Sequence, residues 1–160
     1  MKRPMTREGY EALVAEIDRL WKVERPEVVR EVSDAADLGD RSENAAYIYG
    51  KKRLRAIDSR LRYIKKKLDG VVPVDLDAIQ PGPRVRWGAV VVLEDEDGRQ
   101  RTWRLVDREE SDVNRGRISI QSPVGKALVG KQVGDSVEIV TPGGEVEYEI
   151  LEIRFGNGDP

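Results

Sequence analysis

Apolar positions in the first part of the chain recur at helical intervals. From Tyr10 they run through Leu13, Ile17 and Leu20 at 3-4-3 spacing, which gathers side chains on one face of an α-helix. Thr6, just ahead of Arg7 and Glu8, is placed to cap that helix. Beyond Leu20 the stripe thins through Val23 to Pro26, then resumes at Val28, Val32 and Ala35. Proline lacks the N–H that a helix interior needs and kinks or ends it. The resumed spacing favours one kinked helix over two short ones. A second stripe is cleaner: Leu54, Ile57, Leu61, Ile64 and Leu68 keep 3-4-3-4 spacing, the seam of a coiled coil. Tyr47 extends it back towards Ser42. The short, glycine-containing segment 37–41 joins the stripes and predicts an antiparallel helical hairpin. Arms of roughly 27–30 residues would be about 40–45 Å long, more than a small core requires, so the hairpin is expected to project.

After Gly70 the period changes. Pro73, Pro81 and Pro83 punctuate a connector with room for one short strand or turn. Strand-like runs follow at 85–93, 102–106, 118–120, 136–140 and 145–153. Asp97-Gly98 and Gly143-Gly144 supply hairpin turns, and one helical turn is expected around Lys126, Ala127 and Leu128. The fold class is therefore α+β: a hairpin over 1–72 with its tip near 37–44, a connector over 73–83, and a mostly antiparallel α+β domain over 84–156.

Composition narrows the chemistry. With neither cysteine nor histidine among 160 residues, disulfides, thiolate sites, the commonest general base and the commonest zinc ligand are all excluded. A self-contained hydrolase is hard to build from what remains, although carboxylates can hold a hard cation such as Mg²⁺. No run approaches the roughly 18 apolar residues of a membrane span, and the N-terminal residues lack the apolar stretch of a secretory signal. A soluble, cytoplasmic protein is expected. Net charge is −2, but residues 1–69 carry 17 Lys/Arg against 13 Asp/Glu while residues 70–160 carry 11 against 17. Such asymmetry suggests different tasks for the two halves.

The charge is most strongly patterned where the hairpin turns. Residues 31–46 contain five acids against Arg41 alone, and residues 51–67 contain nine Lys/Arg against Asp58 alone. Repulsion along such a basic shaft is offset when a polyanion binds it. Asp40-Arg41-Ser42-Glu43 has two readings. Asp40 as N-cap with Glu43 three residues on resembles a capping box, contributing about 1 kcal/mol. Alternatively, two carboxylates stand at the end of a rod to hold a metal ion. An i, i+3 pair shares a helix face, so the readings are compatible.

Gly39-Asp40-Arg41-Ser42-Glu43-Asn44-Ala45 followed by Tyr47 resembles the tip signature of the Gre family of bacterial transcript cleavage factors. Thr6-Arg7-Glu8-Gly9-Tyr10 resembles the family's N-terminus, and the run from Lys51 to Asp58 is similar to its GreB branch. In the second half, the stretches from Ile118 to Leu128 and from Gly130 to Asp135 resemble the family's FKBP-like domain. The resemblance implies that the coiled coil enters the secondary channel of RNA polymerase and that the C-terminal domain docks at the channel rim. It implies that Asp40 and Glu43 help to hold a second Mg²⁺ beside the one polymerase keeps. The catalysis, cleavage of the 3′ end of backtracked nascent RNA, would belong to polymerase and not to this chain. Arg41, Lys51, Lys52, Arg53 and Arg55 correspond to RNA- or polymerase-contacting positions, and Ser122 and Pro123 to the surface that engages polymerase. A bland reading stands beside each: a solvated helix face for the basic run, a turn for Ser122-Pro123. Neither a small-molecule substrate nor self-association is implied.

One departure matters: family members commonly carry an acid where Ala46 stands, so the negative potential at this tip is reduced. Ala46 keeps open a channel-binding regulator that does not stimulate cleavage. Gly50, within the second helix, is a further oddity, costing about 1 kcal/mol relative to alanine in an exposed helix. A prolyl isomerase, suggested by the FKBP-like half, is opposed by the few aromatics after residue 70, Trp87, Trp103, Tyr148 and Phe155, where an apolar, aromatic-lined pocket would be needed.

Overall fold

A computed structural model describes residues 2–39 and 44–160. The chain divides into two compact units, Met1–Arg3 with Tyr10–Val72, and Pro4–Gly9 with Pro73–Pro160.

In the first unit, α1 (Arg7–Arg19), a π-helical turn (Leu20–Glu24) and α2 (Arg25–Ala36) follow one another directly, and α3 (Ala45–Asp69) returns alongside. The expected kinked helix is thus one arm with a five-residue wider turn in it. Pro26 explains the turn, since it has no N–H to offer the preceding carbonyls; Arg25 N–H instead bonds the Leu20 carbonyl five residues back. The turn inserts one residue, so the eight-residue step from Leu20 to Val28 behaves like the seven-residue, two-turn step of a regular helix. Leu20 and Val28 are accordingly both buried.

Ion pairs from arm to arm run in opposite sequence directions, which establishes the antiparallel hairpin. Arg60 Nε meets Glu16 at 2.6 Å, Arg25 Nε meets Asp58 at 2.8 Å, and Arg53 Nη1 meets Glu31 at 3.4 Å. Partly exposed pairs contribute about 0.2–1 kcal/mol each. Burying an aliphatic side chain such as Val28, Ile57, Leu61 or Ile64 contributes about 1.5–3 kcal/mol. The apolar seam therefore holds the hairpin together, and the pairs set its register. Gly50 resolves the sequence oddity: it is buried, and a Cβ there would lie 2.7 Å from Val32 Cγ2. Glycine lets the two arms approach side chain to backbone.

The second unit is built on a five-stranded sheet in the order β5-β4-β3-β7-β6, with β3 Val90–Asp95, β4 Gln100–Val106, β5 Arg117–Ser119, β6 Ser136–Thr141 and β7 Gly144–Arg154. Only β4 and β5 pair in parallel. Both expected hairpin turns are present, one at Asp97-Gly98 and the other displaced by one residue to Pro142-Gly143, Gly144 already pairing with Thr141 in β7. The first strand begins five residues later than the apolar run predicts, because Gly88 (φ 87°) turns the chain and Val85 N–H bonds the Lys131 carbonyl instead. Val91, Leu93, Leu105, Leu128 and Ile150 form the centre of the core; Leu128 comes from α4 (Pro123–Leu128). Two strands lie outside this sheet, β1 (Arg3–Thr6) and β2 (Val71–Val74), which pair with each other. β1 escaped the sequence reading because four residues interrupted by Pro4 carry no alternation.

Pro4–Gly9 is tied into the second unit by polar contacts. Thr6 Oγ1 caps α1 as expected, accepting from Gly9 N–H at 3.0 Å, and donates to Glu110; Thr6 N–H donates to the other Glu110 oxygen at 3.1 Å. Glu8 pairs with Arg115, and Arg115 and Arg117 both hold Asp159 at 2.9 Å. Arg104, fully buried, donates to the carbonyls of Gly88, Gly156 and Gly158 and so pins the C-terminal segment to the sheet.

Two expectations follow. Alanine at position 50 gains about 1 kcal/mol of helix propensity, but overpacking costs about 1–3 kcal/mol. Gly50→Ala is expected to destabilise the hairpin by about 1 kcal/mol alone and to stabilise it in a Val32→Ala background, a reversal of sign that denaturation followed by helical circular dichroism would register. The second concerns pH. Burial pushes the Glu110 carboxyl up, the Thr6 hydrogen bonds offsetting this only in part. The folded state then holds a proton the unfolded chain releases near pH 4.3, so stability falls as pH rises from there through the raised value. Glu8 is held below the usual range by its Arg115 hydrogen bond. Burial raises Asp159, but hydrogen bonds from Arg115 and Arg117 outweigh this and leave it lowered. Those two contribute stability above the ordinary value that is lost as pH falls through their own. Stability should therefore peak at mildly acidic pH. In a chain without histidine few groups compete in that window, so Glu110→Gln should flatten the decline on the alkaline side of the peak; an undiminished decline would assign it elsewhere.

Candidate functional site at the hairpin end

The end of the hairpin is built from two helix termini. α2 stops at Ala36; Asp37 N–H bonds the Ser33 carbonyl and Leu38 N–H the Ala35 carbonyl, both at 3.2 Å. Gly39, at φ 127°, then takes the chain into a region that favours glycine. Asp40, Arg41, Ser42 and Glu43, which include both expected metal-holding acids and one expected contact residue, lie outside the described residues.

The cap of α3 is not Asp40. The helix begins at Ala45, and its N-cap is Asn44, whose Oδ1 accepts from Tyr47 N–H at 3.1 Å. The capping-box reading of Asp40 and Glu43 therefore does not describe the start of α3, whose cap is Asn44. Asn44 does more than cap: its Nδ2 donates to the Ala35 carbonyl in the last turn of α2. One side chain thus satisfies an orphan donor of α3 and gives the Ala35 carbonyl of α2 a second donor beside Leu38 N–H, fastening the two arms where the described residues of the hairpin end. Asparagine ahead of an apolar stripe is a recognised N-cap signal; the acid four residues earlier masked it.

The electrostatics of this end favour cations. The C-terminus of α2 carries partial negative charge, its last turn holds no basic residue, and Asp34 and Asp37 are both exposed. Ala46 is exposed in the first turn of α3, so an acid there would face solvent without packing cost. The first turn of α3 accordingly holds no acidic residue, and the local field is weaker for it. Among the described residues, no group of three or more acids converges as a metal site.

The four expected basic contacts divide. Arg53 is turned towards α2 and pairs with Glu31. Lys51, Lys52 and Arg55 make no hydrogen bond or ion pair among the described residues; Lys52 and Arg55 are exposed and Lys51 half-buried. Ser122 and Pro123 lie in the second unit. They begin α4: Ser122 Oγ accepts from Gly125 N–H at 3.1 Å and donates to the Ser119 carbonyl at 2.6 Å, with Pro123 in the first turn. Gly125 is required there, since a Cβ would lie 2.3 Å from the Ser119 carbonyl oxygen. Beside them lies an open cavity of about 560 Å³ lined by Arg108, Ser119, Gln121, Ser122 and Lys126. Its two cations were not singled out from sequence, because Arg108 stands more than ten residues from the rest.

Comparisons with known proteins find relatives of both halves of the chain. The family description "Transcription elongation factor, N-terminal" matches residues 3–72, and "Transcription elongation factor, GreA/GreB, C-term" matches residues 80–155. The transcription elongation factor GreB of Yersinia pestis is 54% identical over 151 residues, covering 94% of this chain and 88% of that protein. GreB of Pseudomonas aeruginosa is 49% identical over the same length, covering 94% and 89%. Among solved structures, the GreA factor homolog 1 of Thermus thermophilus is 26% identical, with 96% of this chain and 99% of that one aligned at a TM-score of 0.44. With both halves matched in order, and relatives of such identity spanning nearly the whole chain, this protein belongs to the GreA/GreB family of transcription elongation factors.

Proposed function

We propose that this chain binds RNA polymerase, inserts its hairpin into the secondary channel and stimulates the polymerase's own cleavage of the 3′ end of backtracked nascent RNA. The observation that carries the reading is the Asn44 clasp. It joins the end of α2 to the start of α3 beside Asp40 and Glu43, so the two acids are carried on a braced support rather than on loose helix ends. Preorganised placement is what a group lent to another protein's active site requires.

The donor set suits the chemistry. Two carboxylates are hard oxygen ligands, and Mg²⁺ keeps several waters while taking one or two carboxylates. Bound between these acids and polymerase, the ion would stabilise the attacking and leaving oxygens of phosphoryl transfer. The chain's own contributions are the two carboxylates, the negative field of Asp34, Asp37 and the α2 terminus, and the rigidity of the clasp. Lys51, Lys52 and Arg55, with Arg41 nearer the tip, face the RNA phosphates, and Arg53 is shared with Glu31. Ser122 and Pro123, beside the Arg108–Lys126 cavity, form the docking surface for polymerase. The factor acts as a monomer and is not itself an enzyme.

Stalled, backtracked complexes with 3′-extruded RNA and Mg²⁺ provide the test. This chain should accelerate release of 3′ fragments over polymerase alone, and Asp40→Ala or Glu43→Ala should abolish the gain while binding persists. Asn44→Ala removes a cap worth about 1 kcal/mol and should slow cleavage several-fold with both acids in place. Asn44→Asp, which keeps the cap but not the bond to Ala35, should recover part of the rate. Ala46→Asp should raise it. Binding by the unmutated chain without acceleration would favour the regulator that Ala46 keeps open.

A further inference from the structure

Halfway along the hairpin, Trp21 stands 58% exposed in the π-helical turn, an unusual place for the largest apolar side chain. It borders a groove of about 230 Å³ floored by Ile17 and Leu61 and edged by Asp18 and Lys65. An apolar cavity of about 150 Å³ admits a benzene ring, so one planar base fits. Two cations flank the indole, with Arg25 Cζ at 5.6 Å and Lys65 Nζ at 5.9 Å from the ring centroid.

The surroundings favour a polyanion. Lys51, Arg55, Arg62 and Lys65 follow at intervals of four, seven and three residues, which places them on one face of α3. The face descends about 21 Å along the helix and ends at the groove. The one acid between residues 51 and 67, Asp58, is held by Arg25 at 2.8 Å. Asp18, at the groove edge, is held by Lys22 at 2.7 Å. Both acids are thus offset by cations of the chain itself. A track of cations ending at an exposed aromatic ring is the arrangement by which proteins hold single-stranded nucleic acid, the phosphates on the cations and a base on the ring.

We propose that single-stranded RNA runs down this face from the basic residues near the tip and stacks one base on Trp21, its phosphate on Lys65. The proposal rests on the RNA-contact reading of Lys51, Lys52 and Arg55 and extends that contact by several nucleotides. It gives the hairpin a second station that engages only an extruded strand long enough to reach it.

The test uses the full chain and a labelled single-stranded oligouridylate of about ten nucleotides, with affinity read by anisotropy and tryptophan emission read in parallel. Stacking contributes about 1–3 kcal/mol per base, so Trp21→Leu should weaken binding about tenfold and abolish the quenching, leaving Trp87 and Trp103 as background. Trp21→Phe should bind within a few-fold of the parent, and Lys65→Gln should weaken binding and shallow its salt dependence. Unchanged thermal unfolding of the helices in each variant excludes loss of fold. If Trp21→Leu binds as the parent does while Lys52→Ala with Arg55→Ala weakens binding, the Trp21 station is refuted and the basic contact near the tip stands. If the parent fails to bind RNA at all, both fall. Quenching by an acidic, leucine-containing peptide but not by RNA would identify the groove as a protein-docking surface and overturn the proposal.

Discussion

Everything the hairpin does depends on how closely its arms approach at Gly50. A buried glycine opposite Val32 removes the one atom that would hold the helices apart, and the approach lets Asn44, six residues nearer the tip, reach across to the Ala35 carbonyl. A wider hairpin would keep the local cap on the Tyr47 amide and the Leu38 bond to that carbonyl, but it would lose the one bond from Asn44 that joins the ends of α2 and α3. Helix propensity alone would have replaced this glycine. Its presence shows that interhelical packing, not local preference, decides the residue.

The same geometry sorts the basic residues of α3. Cations turned towards the opposite arm, Arg53 and Arg60, are taken up by Glu31 and Glu16, and Arg25 of α2 in turn neutralises Asp58. Lys51, Lys52 and Arg55 make no such pair among the described residues. Pairing on the inside and repulsion on the outside come from one helix, which explains how a segment so rich in like charge remains folded. The apolar seam contributes most of the stability, so the outer face is free to be specialised.

Periodicity made the α+β class, both helical stripes and the two glycine hairpin turns legible from residues alone. What it missed has physical causes. β1 is four residues long and broken by Pro4, too short to alternate. The start of β3 was set by a tertiary hydrogen bond at Val85 and the turn at Gly88, neither of which leaves a local pattern. Asn44 carried a fair capping signal that a nearby acid outcompeted, and only its second bond, to a carbonyl nine residues back, distinguishes it. Of the candidate site, the basic residues could be identified by type but not sorted into paired and unpaired, because sorting depends on what the other arm presents.

The π-helical turn has a consequence for the whole arm. One residue more or fewer in a helix rotates everything beyond it by about 100°. Forcing regular geometry between Leu20 and Glu24 without removing a residue would therefore leave Leu13 and Ile17 facing as they do now while swinging Val28, Val32 and Ala35 off the seam; deleting one residue as well would bring them back. The turn fixes the azimuth at which α2 meets α3, and an insertion that resembles a local irregularity is the gauge to which the far end of the arm is cut.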